Sequence, residues 1–344
     1  MITIHVGLHK TGSTSIQTAL EMVQHRRDLL IVSPRVSGAW TDVARMTQLK
    51  RASDTRHVII SDEGILGDMA DAYESAGDRL SQVRTALSDV PYEVIMYIRP
   101  QPDWLSSVYL QLVQQGGTLT AEEFWDSVQA RQHLAWARLS DCVRAESGAQ
   151  RIRIRAYAPG RDSVADFFDF CGLGRAPRPT AVGIRINESI SAVQAPILAA
   201  LNRAESLTRD EQLQVRRLFQ DRLAVADGRN WSPFPEDVQM QIVDRFRADW
   251  QAVAALLDEG DSSEAAVFRA TAAAWDGPAR PCPGSAVTDP LVARELFRCF
   301  SLMSPQLQDG ADRGFWRRAS AKLRENPSDA WASIRRAVRR TAQG

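Results

Sequence analysis

Lys10 lies inside the stretch Gly7-Leu8-His9-Lys10-Thr11-Gly12-Ser13-Thr14 and is one of only three lysines in the chain, with Lys50 and Lys322. Two glycines, a cation and three hydroxyls within eight residues suit an oxyanion. Glycines allow a tight turn, and successive backbone N–H groups can then converge on one phosphate or sulfate. A helix starting at that turn adds its dipole to the same spot. The nucleotide-triphosphate loop G-x-x-x-x-G-K-[ST] carries its lysine directly after the second glycine. Here Gly7 and Gly12 keep that spacing, but Ser13 fills the lysine slot and Lys10 sits within the loop. A displaced cation serves a displaced group, which points away from ordinary ATP chemistry.

A second cation stands in Tyr97-Ile98-Arg99-Pro100-Gln101-Pro102-Asp103-Trp104, and Ser107 follows Arg99 by eight residues. The guanidinium of Arg99 presents a fixed fork of donors suited to a phosphate. Ser107, two turns along the adjoining helix, adds a hydroxyl to the same oxygen cluster. Taken alone, Arg99 fits a helix cap or a surface ion pair equally well. Acids occur in Ile59-Ile60-Ser61-Asp62-Glu63-Gly64, where a carboxylate is also a common N-cap.

The elements that must position these residues alternate. Strand patterns cover Ile2–Val6, Leu29–Val32, His57–Ile60, Glu93–Ile98 and Arg151–Arg155. Helical patterns cover Ser75–Leu87, Pro102–Gln114 and Ala121–Arg144. This alternation predicts an α/β fold, three layers around a central parallel sheet of about five strands. The carboxyl ends of parallel strands face the ligand crevice, so the Lys10 loop, Glu63 and Arg99 are expected on one rim. After Tyr157 the pattern is mostly helical: Asp162–Cys171, Ile190–Arg203, Arg209–Val225 and Asp237–Leu257. From Asp258 to Pro290 small residues, glycine and proline dominate, which reads as a linker or lid.

Lys10-Thr11-Gly12-Ser13-Thr14 together with Arg99, Ser107 and Tyr109 resembles the two nucleotide-binding motifs of sulfotransferases that use 3′-phosphoadenosine 5′-phosphosulfate (PAPS). The likeness is strongest to the bacterial and carbohydrate-type branch, whose loop reads KTGST or KTGTT. Arg155-Ala156-Tyr157, Phe167–Leu173 and Arg185–Ser191 extend it, so that it covers Met1 to Leu257. The resemblance implies a P-loop-type fold in which Lys10, Thr11, Gly12, Ser13, Thr14 and Ser15 hold the 5′-phosphosulfate and Arg99 and Ser107 hold the 3′-phosphate. It also implies a glutamate base after the third strand. That role falls to Glu63, with Asp62 and His9 as the other candidates. Lys10 is suited to stabilising the oxygen between sulfur and phosphorus as charge collects there. No metal is required in that scheme, since the sulfuryl group carries less charge than a phosphoryl group. Arg185, Asn187 and Ser189 fit either a cofactor contact or a capped helix start. Trp40 and Trp104 fall near the ligand edge, with packing the simpler role for both.

Hydrophobic content of 44% and charged content of 24% are those of an ordinary globular protein. A formal net charge of zero gives no global field to attract nucleic acid. Charge is nevertheless uneven: residues 311–344 hold nine Arg/Lys against three acids, +6 in the tail and −6 in the rest. Trp331, Ile334 and Val338 lie at helical spacing among those arginines, so the tail is read as a helix for docking on a domain or partner, a solvated tail, or a surface for anionic lipid or glycan. Cys142, Cys171, Cys282 and Cys299 form no disulfide or zinc pattern. No leader or apolar run of about 20 residues is evident, which makes a cytoplasmic location the expectation. The organisation expected is a sulfotransferase-like domain over residues 1–257, a linker or lid over 258–290 and a helical basic extension over 291–344. The function expected is sulfuryl transfer to a hydroxyl or amine, on a saccharide or glycoconjugate. The rivals are a P-loop kinase using ATP–Mg²⁺ and a nucleotide-binding module without turnover.

Overall fold

The computed structural model describes residues 1–34, 43–158, 160–177, 190–192, 194–204 and 231–282. Five parallel strands form its sheet: β1 (Ile2–Val6), β2 (Leu29–Val32), β3 (His57–Asp62), β4 (Tyr92–Ile98) and β5 (Arg151–Ala156), in the order β2-β3-β1-β4-β5. The α/β class and the five strands are those expected from the alternating pattern. β1 is central because all five of its residues are buried, as a strand covered on both faces must be. Burying side chains such as Ile2, Ile4 and Val6 stabilises the sheet by roughly 1.5–3 kcal/mol each.

The helices are α1 (Ser13–Val23), α2 (Val43–Ser53), α3 (Ala76–Ala86), α4 (Gln101–Gln114), α5 (Ala121–Val128), α6 (Trp136–Glu146), α7 (Ser163–Phe170), α8 (Ala195–Ala204), α9 (Glu236–Asp258) and α10 (Ser262–Ala273). Right-handed crossovers put α1 on one face of the sheet, because β1 to β2 runs opposite to the later connections, and α3 and α6 on the other. The packing agrees: α1 lies against α7, and α3 against α6. On the α1 face, Ile16 and Leu20 meet Ile31, Ile59, Ile95, Tyr97, Phe167 and Phe168 in one cluster.

Two stretches depart from the periodicity. The helix expected over Ala121–Arg144 is interrupted: α5 stops at Val128, a 3₁₀ turn spans Gln132–Leu134, and α6 begins at Trp136. Asp249 of α9 breaks it there by accepting the backbone N–H groups of Trp136 and Ala137 at 2.9 and 3.0 Å, a cap from a distant helix that no local pattern encodes. The second stretch is the linker or lid of 258–290, of which residues 262–273 are α10. Asp261 caps it by accepting from Ser263 N–H at 3.0 Å, and Ala265 and Phe268 are buried. Trp40, Arg185, Asn187 and Ser189, the helix over 209–225 and the tail over 291–344 lie outside the described residues.

Compactness divides the chain into two units. The first, Met1–Val108, Ser127–Ile184 and Gln241–Pro278, holds the sheet. The second comprises Tyr109–Asp126, Arg185–Met240 and Ala279–Gly344. In its described part, the ring of Tyr109 packs with those of Phe124 and Phe234, and the Asn202 amide donates to the carbonyls of Val113 and Gly117 at 2.8 and 2.9 Å.

α10 locks onto β5 through one buried carboxylate. Glu264 is 1% exposed. Its Oε2 accepts the Ala156 N–H at 2.7 Å, and its Oε1 accepts from Arg155 Nη1 at 3.1 Å and from Arg161. Removing one member of such a cluster leaves charge buried without compensation. Glu264→Ala is expected to lower stability by about 3 kcal/mol in equilibrium denaturation. A loss below about 1 kcal/mol would show that Asp166 and Asp261, the other acids near Arg155, suffice.

Candidate functional site

Parallel register brings the strand ends into line. Val6 of β1 pairs with Asp62 of β3, so the next residues, Gly7 and Glu63, leave the sheet side by side. A Cβ on Gly7 would stand 3.2 Å from Glu63 Cγ and 2.6 Å from Ser13 Oγ, which is why glycine occupies this position. On the other side of β1, β4 ends at Ile98 and releases Arg99. The Lys10 loop, Glu63 and Arg99 therefore share the carboxyl rim, next to the point where the crossovers change direction.

The loop is held in an unusual backbone. Lys10 has φ +68° and Gly12, the N-cap of α1, has φ +88°. A side chain at a left-handed position costs energy that the surroundings must offset, and such positions gather at functional sites. Thr11 and Ser13 are buried, and both hydroxyls donate to the Leu8 carbonyl, at 2.7 and 3.2 Å. The Ser13 hydroxyl thus braces the loop from inside. Ser15 is exposed, and its N–H returns to the Gly12 carbonyl at 2.9 Å. The N–H groups ahead of it, at the mouth of α1, belong to the set that a helix cannot satisfy internally. Thr14 is half-buried among them.

Arg99 ties the two motifs together. Its Nη1 donates to the Lys10 carbonyl at 3.2 Å and to Ser107 Oγ at 3.3 Å. Its guanidinium carbon lies 5.7 Å from the centre of the Tyr157 ring, and Nη2 lies 3.8 Å from Asp103 Oδ1. Trp136 fixes the backbone here by donating Nε1–H to the Arg99 carbonyl at 2.6 Å. Gln101, buried at the first position of α4, is held by Asp249 and Trp250 of α9 at 2.6 Å each. The pair Arg99 and Ser107, expected from sequence spacing, is in hydrogen-bond contact and adjoins the Lys10 loop.

The acids differ in setting. Asp62 is buried and accepts the Gly64 N–H at 2.7 Å. Burial raises its pKa, partly offset by that N–H and by Arg79. Its carboxylate is spent on a turn. Glu63 keeps 29% of its side chain exposed, with Oε2 3.7 Å from His9 Nε2. Burial lowers the His9 pKa to about 4, opposed by Asp68 and aided by Lys10, so the ring is neutral near pH 7. Trp104 is fully buried between Tyr73 and Trp136 and donates Nε1–H to the His9 carbonyl at 3.0 Å; its role is to support the loop.

Several residues of this site carry no sequence signal. Tyr73, Trp136 and Asp249 reach it through contacts spanning 37 to 113 positions, and nothing in their immediate neighbours marks them. Tyr157 and Ser163 were legible only as part of a strand end and a helix start. They wall the loop at Gly12, where an added Cβ would lie 2.7 Å from Ser163 Oγ and 3.1 Å from Tyr157 Cε2.

Gly12→Ala combines that clash with a left-handed backbone, which costs roughly 1–2 kcal/mol for a residue bearing a Cβ. The variant is expected to lose more than this in chemical denaturation, and Ser163→Ala in the same chain is expected to restore part of the loss. Strict additivity of the two changes would place the cost in the backbone alone. No family model matches this chain, and neither the curated proteins nor the solved structures contain a match to it.

Proposed function

We propose that this chain is a sulfotransferase that moves a sulfuryl group from PAPS to a hydroxyl or amine of an acceptor, of the saccharide or glycoconjugate class. The observation that carries the reading is the single guanidinium of Arg99 bonded both to the Lys10 loop and to Ser107. Two anion-binding elements joined in this way suit a nucleotide with phosphates on both sides of one ribose. A triphosphate needs its lysine after Gly12, where Ser13 stands.

In this reading the N–H groups at the mouth of α1 hold the phosphosulfate, and Arg99 and Ser107 hold the 3′-phosphate. Glu63, beside Gly7, takes the proton from the acceptor. The acceptor oxygen or nitrogen forms its bond to sulfur as the bond from sulfur to the phosphate oxygen breaks in line. Lys10 stabilises the charge that collects on that leaving oxygen. The chemistry asks for positioning and charge stabilisation and for no covalent intermediate. The acceptor class rests on the likeness of the KTGST loop to the carbohydrate branch. A cytoplasmic setting belongs to the same reading; among the described residues no helix is long and apolar enough to cross a membrane.

Calorimetry with adenosine 3′,5′-bisphosphate, AMP and ATP–Mg²⁺ tests the donor site. The bisphosphate is expected to bind more tightly than the others without metal, and Arg99→Ala is expected to weaken it at least tenfold while leaving AMP within about threefold, since charge-assisted contacts contribute about 1.5–3 kcal/mol. Preference for ATP–Mg²⁺ would turn the assignment to a kinase. Lys10→Ala is expected to lower kcat by about 10²-fold or more, with a much smaller effect on bisphosphate affinity. Turnover close to that of the unaltered chain would remove Lys10 from the reaction.

A further inference from the structure

We propose that Tyr73 and His9 form a positioning pair for Glu63, in which the buried Tyr73 hydroxyl fixes the His9 ring with its proton on Nε2, directed at the Glu63 carboxylate. This rests on the sulfuryl-transfer reading only for the task it gives Glu63; the arrangement of the pair itself does not.

Tyr73 is held where a tyrosine would not go unaided. It is 0% exposed, and with Ala72 it occupies left-handed backbone, at φ +61° and +48°. Among the described residues, the positive-φ positions outside glycine are Lys10, Ala72 and Tyr73, and Tyr73 bonds the loop at His9. The turn is anchored from outside: His133 Nδ1 lies 2.8 Å from the Tyr73 carbonyl, and Trp104 packs against the Tyr73 ring with centroids 5.8 Å apart.

What the turn delivers is one hydroxyl. Tyr73 Oη accepts the backbone N–H of His9 at 2.9 Å and lies 3.1 Å from His9 Nδ1. The phenol is un-ionised, its pKa raised by burial, so it has a proton to donate in a place shut off from water. Nδ1 is the acceptor beside it. A neutral imidazole that accepts at Nδ1 carries its proton on Nε2. Nε2 faces Glu63 Oε2 at 3.7 Å, a separation that a small rotation of either side chain closes. The near-parallel rings of His9 and Tyr73, with 27° between planes, and the Trp104 bond to the His9 carbonyl keep the imidazole from turning away. His9 stays neutral near pH 7, so it orients the carboxylate without neutralising its charge, which preserves Glu63 as an acceptor of the substrate proton. This is the logic of a ligand oriented by a hydrogen-bonded partner behind it.

The test reads the ring directly. With five histidines in the chain, a two-bond ¹H–¹⁵N correlation spectrum assigned with His9→Gln reports the His9 tautomer. The expected result at pH 7 is a neutral ring protonated on Nε2, becoming a tautomer mixture in Tyr73→Phe. A ring protonated on Nδ1, or a charged one, in the unaltered chain would overturn the proposal. In transfer assays Tyr73→Phe is expected to lower kcat by about 10-fold or more and to leave bisphosphate affinity within about twofold. His9→Gln, whose amide can still donate to Glu63, is expected to retain more turnover than His9→Phe. Unchanged kcat in a folded Tyr73→Phe would also overturn it. Failure of the unaltered chain to bind the bisphosphate would fall on the sulfuryl-transfer reading, and the tautomer would still decide the pairing.

Discussion

The turn from β1 into α1 runs through left-handed backbone at Lys10 and again at Gly12, and most of the neighbouring structure serves to hold it there. A loop free to relax would swing its N–H groups apart and lose the convergence that binds an anion. Here Thr11 and Ser13 brace it from within by bonding the Leu8 carbonyl. Tyr73 and Trp104 hold the His9 peptide, Arg99 holds the Lys10 carbonyl, and Tyr157 and Ser163 wall off Gly12. Apart from the two internal braces, these contacts come from three separate segments, at Tyr73, at residues 99–104 and at residues 157–163. The rigidity of the loop is therefore a property of the whole first unit and not of eight residues.

A second set of contacts governs Arg99. Its carbonyl is held by Trp136, and α6, which carries Trp136, begins where Asp249 accepts two backbone N–H groups. Gln101 bonds the same carboxylate and also receives Trp250 Nε1–H. Burial raises the pKa of Asp249, while the Ala137 and Trp136 N–H groups and the Gln101 amide oppose the shift. A helix far along the chain thus sets the exit angle of β4. β5 is treated in the same manner, since Glu264 of α10 meets the Ala156 N–H. α10 packs against the edge strand β5, so residues 262–273 form a helix inside the stretch whose composition reads as a linker or lid.

The parts of the site that were legible in the sequence share one cause. Gly7, Gly12, Lys10, Arg99 and Ser107 lie in or next to elements whose periods are strong, so each could be assigned to a strand end or a helix start. Once strands are parallel, their ends share a rim without any side-chain information. Glu63 could be placed on that rim in the same way. Its separation from Asp62 was not legible, because alternation cannot tell which of two adjacent acids bends back to cap the turn; the bond from Gly64 N–H to Asp62 decides it. Nor was the inward turn of the Ser13 hydroxyl, which depends on where the Leu8 carbonyl points.

Local pattern by itself determined the class of fold, the strand boundaries to within one or two residues and the three segments that meet at the carboxyl rim. These follow from burial and turn chemistry acting over a few neighbours, where side-chain period and glycine position leave little freedom. Tertiary structure alone decided that Tyr73 stands in left-handed backbone beneath His9, that Asp249 caps the start of α6, and that Glu264 closes on β5. Each of these joins residues 64 to 113 positions apart, and the free energy that sustains it comes from burial and hydrogen bonding in the folded core. No short segment holds that information, because in isolation each segment satisfies its polar groups with water.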